Sequence, residues 1–248
     1  MAYIDVHSHL DICKNPDEII KNARKNGVKI ILTCGIDRNT NRKTLELSEK
    51  YYEVKACLGI YPIDALKLSE EELDNEVLFI RQSKNKIVGI GEVGLDLKES
   101  NILTLKKQKD NLQKFINLSK EINKPIIIHS RQAESEAIEL LEKSNCKKVL
   151  MHCFSGNFNL VKKIINNKWY LSIPANVKNS EHFQNVIKIT PLSQLLCETD
   201  SPFLHPDKLP NNESSNVIES YKKIAQIKDI PLKEVEKAIE GNYNRLFG

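Results

Sequence analysis

The chain has 248 residues, 40% hydrophobic and 28% charged, a make-up that excludes a disordered or fibrous protein and is long enough for one large α/β domain. Its net charge of +4 admits an anionic substrate without requiring one. The six cysteines form no C-x-x-C pair, which argues against a thiolate zinc site or a dithiol redox motif; with no apolar run of 18 residues and no signal segment at the start, a soluble, reduced, cytoplasmic protein without membrane contact is expected.

Along the chain, short β-rich runs alternate with amphipathic stretches eight times. Strands are predicted at Tyr3–His7, Lys29–Cys34, Val54–Ile60, Ile87–Gly91, Pro125–His129, Lys148–His152, Trp169–Ile173 and Leu195–Thr199. Most are near-continuous apolar runs, as parallel strands covered on both faces require. Asn15-Pro-Asp-Glu18 opens a first helix that ends near Gly27, a natural residue to follow a helix C-terminus. Further helices are predicted at Asn41–Tyr52, Glu70–Ser83, Leu103–Ile122, Glu134–Lys143, Leu160–Asn167, Glu181–Ile189, Asn216–Ile227 and Leu232–Arg245. No repeat, low-complexity tract or linker divides the chain. Eight strand–helix units predict a single-domain (β/α)8 TIM barrel over residues 1–248, in preference to an open doubly wound sheet.

In such a barrel, chemistry sits at the carboxyl ends of the strands. His7 and His9 end the first strand, and residues two apart in an extended segment point the same way. Glu92 follows the fourth strand. His129, His152 and Asp200 end the fifth, sixth and eighth. One such histidine would be an ordinary polar residue, but four histidines and two carboxylates converging on one face form a candidate metal centre. Six nitrogen and oxygen ligands are too many for one open tetrahedral zinc ion. They suit two divalent ions, zinc, magnesium or manganese, with Glu92 as the bridge. Two ions activate water near neutral pH and stabilise the attacking and leaving oxygens, which favours hydrolysis of phosphate esters. His182 is expected on a helix surface and His205 in a plain loop.

Gly89-Ile-Gly-Glu-Val-Gly94 also fits the dinucleotide fingerprint G-x-G-x-x-G. Glu92 would set negative charge beside a pyrophosphate, and the motif lies four strands into the chain rather than in the first βα unit. The glycines are read instead as a tight strand-end turn that presents Glu92.

Five segments together resemble the TatD-like metal-dependent deoxyribonucleases of the amidohydrolase-type barrels. They are Asp5-Val-His-Ser-His-Leu10, Gly91-Glu-Val-Gly-Leu-Asp96, Lys124-Pro-Ile-Ile-Ile-His-Ser-Arg131, His152-Cys-Phe-Ser-Gly156 and Glu198-Thr-Asp-Ser-Pro-Phe-Leu204. The resemblance covers nearly the whole chain. It implies a (β/α)8 fold and metal-dependent hydrolysis of phosphodiesters, often as a 3′–5′ exonuclease on DNA. By motif it gives His7, His9 and Asp200 to one metal, His129 and His152 to the other, and Glu92 to both, with Asp200 also acting on the attacking water. The DNA substrate comes from the resemblance alone.

The sequence departs from the family beyond the metal ligands. Members carry a His-Pro-His stretch after strand three, where this chain has Tyr61 and Ile63. They also carry an Arg-Asn-Glu-Pro stretch, where this chain has Asn211-Asn-Glu-Ser214. Arg131 remains as a phosphate clamp, with a salt bridge as its ordinary alternative role. Tyr61 is left to donate one hydrogen bond. The same centre could hydrolyse another ester or an amide, such as a D-aminoacyl-tRNA ester. A metal-stabilised barrel that only binds is the reading from outside the enzymes. It would call for a broader basic or aromatic surface than 6% aromatics supply. No obligate protein partner is evident.

Overall fold

The computed structural model describes residues 3–248, so the first two residues of the expected domain lie outside the described residues. Eight parallel strands form one sheet in the order β1 to β8, with helices in the crossovers. In chain order the elements are β1 (Tyr3–Ser8), α1 (Pro16–Lys25), β2 (Val28–Cys34), α2 (Arg38–Lys50), β3 (Val54–Leu58), α3 (Pro62–Lys67), α4 (Glu70–Gln82) and β4 (Ile87–Asp96). Then follow α5 (Leu105–Glu121), β5 (Ile126–Arg131), α6 (Glu134–Lys143), β6 (Val149–Met151), α7 (Phe158–Asn166), β7 (Tyr170–Pro174), α8 (Glu181–Ile189), β8 (Leu195–Glu198), α9 (Ile218–Lys228) and α10 (Leu232–Phe247). This is the expected (β/α)8 barrel.

The strands are buried on both faces, which is why they read as apolar runs rather than alternating ones. Ile31, Leu58, Ile90, Ile128, Leu150, Ile173 and Leu196 belong to one continuous core. The sheet closes on itself where β1 meets β8. There the Asp200 amide donates to the His7 carbonyl at 3.0 Å, and the His9 amide to the Ser201 carbonyl at 2.7 Å. The buried Asp5 carboxylate reinforces the seam, accepting the Thr199 amide at 2.9 Å and its hydroxyl at 2.6 Å. Burial raises the Asp5 carboxyl to about 7, so each of these bonds is credited with the ordinary contribution of about 0.5–1.5 kcal/mol.

Helix starts follow their capping residues. Ser69 and Glu72 form a reciprocal capping box at α4, and Asp37 and Thr40 form another at α2. The second box starts α2 three residues before the predicted Asn41. Pro62 opens a short helix, α3, in a stretch read as loop; proline at the first helical position loses no hydrogen bond.

The largest correction concerns β4. It does not stop at Gly91 in a turn but continues through Glu92 to Asp96. Its pairing with β5 shifts register between Ile90 and Val93, then resumes with Val93 opposite Ile128 and runs on through Gly94 opposite His129 to Asp96 opposite Arg131. A methyl group on Gly94 would lie 1.9 Å from the His129 carbonyl oxygen, so glycine is there for close approach of the two strands. The longer strand carries two buried acids to the carboxyl end of the barrel, Glu92 and Asp96.

Candidate metal centre

The barrel gathers the six predicted ligands at the carboxyl ends of its strands. His7 lies in β1 and His9 just past it; Glu92 lies in β4, His129 in β5, His152 just past β6 and Asp200 just past β8. The Nε2 atoms of His7 and His9 stand 3.2 Å apart. Glu92 Oε2 is 3.4 Å from the first and 3.3 Å from the second, and Asp200 Oδ1 is 3.5 Å from each. Nitrogen and oxygen donors at about 2.0–2.2 Å from a common tetrahedral centre stand roughly 3.3–3.6 Å apart. His7, His9 and Asp200 therefore have the spacing of donors to a single divalent ion, and Glu92 Oε2 stands at a similar distance from both imidazoles.

The other carboxylate oxygen of Glu92 faces a second imidazole pair. Oε1 is 2.8 Å from His129 Nδ1 and 3.0 Å from His152 Nε2. His7 and His152 stack with ring centroids 3.9 Å apart, which brings His7, Glu92 and His152 together as a further group of close donors. His129 stands outside both groups of mutually close donors and meets the centre only through Glu92. The residues present fit bound cations: hard and borderline donors converge, and the carboxylates are ionised.

Burial by itself raises the Glu92 carboxyl, but the imidazoles of His152, His129 and His7 outweigh it and hold the group well below the usual carboxylate range. Asp200 is likewise held low, the cost of burial being overcome by His9, His7 and His152. Burial pushes the His7 imidazole down, with His152 adding repulsion, so His7 is neutral and keeps a lone pair to offer. For His152 burial also lowers the value, yet Glu92 and Glu198 prevail and raise it well above that of a free imidazole.

Groups behind the ligands fix their orientation. His9 Nδ1 lies 2.9 Å from the Cys34 carbonyl oxygen, which turns its Nε2 to the centre. His129 Nε2 lies 2.9 Å from Asp96 Oδ2, so Nδ1 is the nitrogen that faces Glu92. Glu198 Oε2 is 3.6 Å from His152 Nδ1 and accepts the Ser172 hydroxyl at 2.6 Å. Asp96 and Glu198 were not singled out in the sequence. Asp96 is fully buried, and burial raises its carboxyl, but His129, the Glu99 amide and Tyr61 bring it down to about 2.

Tyr61 donates its hydroxyl to Asp96 Oδ2 at 2.8 Å and lies 3.3 Å from His129 Nε2. Arg131 is 41% exposed at the mouth and pairs with Glu99 at 3.1 Å. His182 is half-buried rather than on a free helix surface, bonded to the Phe154 carbonyl and stacked on Phe158. His205 accepts the Asp207 amide within its own loop. Asn212, beside the altered Asn211, ties that loop down by donating to the Thr199 carbonyl. A cavity of about 370 Å³ lies between the segments that follow β2 and β3, lined by none of the six predicted ligands. Its cations are all paired, Arg38 with Glu72, Arg42 with Glu76 and Lys67 with Asp64, so it presents no surplus charge.

Residues 4–248 match the family described as TatD related DNase. The chain belongs to that family. It is 34% identical over 250 residues to a metal-dependent hydrolase of Methanocaldococcus jannaschii, covering 100% of this chain and 97% of that one. It is 32% identical over 260 residues to the human deoxyribonuclease TATDN3, covering 100% and 95%. A crystallised TatD homologue of Escherichia coli has the same fold, with a TM-score of 0.90, 23% identity and coverage of 99% and 97%. The protein is thus a metal-dependent hydrolase of the TatD-like family, with a histidine–carboxylate cluster suited to metal at the barrel mouth. Among the described residues no helix is long and apolar enough to cross a membrane.

Proposed function

We propose that this hydrolase is a 3′–5′ exodeoxyribonuclease that holds two divalent ions, zinc, magnesium or manganese, and acts on single-stranded DNA ends in the cytoplasm. The observation that carries this reading is the Glu92 carboxylate, with one oxygen toward His7 and His9 and the other toward His129 and His152. In this reading His7, His9 and Asp200 hold one ion, His129 and His152 the other, and Glu92 belongs to both. Ions bound there would supply Lewis-acid activation of water and would offset the negative charge on the phosphoryl oxygens. The name of the human relative supports DNA as the substrate. All six cysteines are unpaired, which suits a reducing compartment.

The chain's own groups do the rest. Asp200 is ionised and only partly buried, placed to take a proton from the attacking water. Attack in line forms a bond from the water oxygen to phosphorus and breaks the bond to the 3′ oxygen of the preceding nucleotide. The proton passes to that leaving oxygen, and a nucleoside 5′-monophosphate is released. Arg131 turns from Glu99 to the non-bridging phosphate oxygens; an exposed pair of that kind is worth at most about 1 kcal/mol. Tyr61 borders the phosphate path through its ring, since its one hydroxyl proton goes to Asp96.

The test is incubation of 5′-labelled single-stranded DNA with protein and Mg²⁺ or Mn²⁺, then with chelator, beside the Asp200→Asn variant. The expected result is a metal-dependent ladder shortening from the 3′ end. The variant should lose roughly three orders of magnitude in rate or more. Full activity in Asp200→Asn would remove Asp200 from the mechanism, and an intact strand with metal bound would remove DNA as the substrate.

A further inference from the structure

The apolar side chains left in solvent are not spread evenly over the molecule. Among the described residues, six of the nine large hydrophobics with exposed surfaces sit on the segments that follow strands, around the mouth of the barrel: Ile12, Ile102, Leu103, Phe158, Phe203 and Leu209. Single exposed apolar residues are ordinary on any protein, but a ring of them about a charged centre is a segregated surface. Phe203 is the member whose contact with the centre is direct. It is 53% exposed, and its ring stands edge-on to the His9 imidazole with centroids 6.1 Å apart. The backbone beneath it is held, because the Phe203 amide donates to the Asp200 carbonyl and the Asn212 amide to the Pro202 carbonyl, both at 2.9 Å. A rigid aromatic face therefore stands open to solvent within one side chain of the proposed ligands.

We propose that Phe203 is a stacking platform for the nucleobase of the terminal nucleotide, the one whose 5′ phosphate lies at the metal centre. This rests on the deoxyribonuclease reading and adds to it a subsite for a planar heteroaromatic ring. Stacking on an aromatic side chain needs no hydrogen-bond pattern, so the subsite accepts any base. It also requires a base free of its own stack, which selects single strands and frayed ends over intact duplex. A protein docked on this ring would cover the centre and Arg131, whereas a single strand uses the ring and feeds the centre.

The experiment compares two 5′-labelled single strands, one with a normal 3′-terminal nucleotide and one whose last residue is an abasic tetrahydrofuran. KM for the normal strand should be lower by between about fivefold and a hundredfold. Phe203→Ala should abolish that difference, and Phe203→Trp should keep it. Binding of both strands to the Asp200→Asn variant, with and without Phe203→Ala, is read in parallel by fluorescence anisotropy. Equal KM and equal binding of the two strands, or discrimination that survives Phe203→Ala, overturns the subsite. Discrimination in binding without any cleavage keeps the subsite and removes the nuclease activity instead.

Discussion

The two halves of the metal centre are built differently. Around His7, His9 and Asp200 the donors stand 3.2–3.5 Å apart, the spacing of atoms that share an ion. Around His129 and His152 the gaps to Glu92 are 2.8 and 3.0 Å, the spacing of direct hydrogen bonds. The supports differ too. His9 leans on a backbone carbonyl, while His129 and His152 are backed by carboxylates, Asp96 and Glu198. A backbone carbonyl sets direction alone. A carboxylate sets direction and adds negative charge, which makes an imidazole a stronger donor. The difference teaches that the first half is arranged through the backbone of the β1–β8 seam, and the second by buried acids that touch the imidazoles themselves and that substitution can remove singly.

Three substitutions test that contrast, in descending order of effect. Glu92→Gln removes the one group common to both halves and should lower activity by roughly three orders of magnitude. Metal analysis should show the His129–His152 half empty and the His7–His9 half weakened. Two ions retained at full affinity would mean the halves are independent. Asp96→Asn strikes only the carboxylate-backed half, and such outer groups are worth about 10–100-fold in metal affinity or activity. Calorimetric titration should place the loss in one of two binding steps, with the other unchanged. Against the cost of burial, Asp96 and Glu92 together raise the His129 imidazole, so nitrogen NMR of the metal-free protein should also show His129 losing its proton at lower pH in the variant. Tyr61→Phe deletes one of the bonds to Asp96 and keeps the ring, so the same titration should shift by tenfold or less, about 0.5–1.5 kcal/mol. A larger loss, confined to KM for DNA, would assign the hydroxyl to the substrate instead.

The sequence pointed to the clustered residues because each stands at or near the carboxyl end of an apolar run, and a parallel barrel has one chemical face. Asp96 escaped notice because glycines at 91 and 94 read as the end of β4. They are the residues that let β4 pass close to β5, so the strand runs on. A signal was present: Glu92, Gly94 and Asp96 alternate, and alternate residues of a strand share a face. Glu198 also left a trace, a lone acid closing the apolar run Leu195-Leu-Cys-Glu198. Phe203 left none, since exposure depends on how the loop after β8 is tied to Thr199, Pro202 and Asp200. The start of α2 is legible in Asp37-x-x-Thr40, a capping residue with its partner three positions on.

The seam between β1 and β8 has a consequence for the life of the chain. Asp5 and Thr199 are 194 positions apart in sequence, yet their bond sets His7, His9 and Asp200 side by side. A chain emerging from the ribosome therefore cannot bring these three side chains together until Asp200 has been made. A chain broken off before Asp200 carries both histidines and no partner to complete them. The donor cluster is completed only after the last strand of the barrel, so a fragment left by stalled synthesis lacks it.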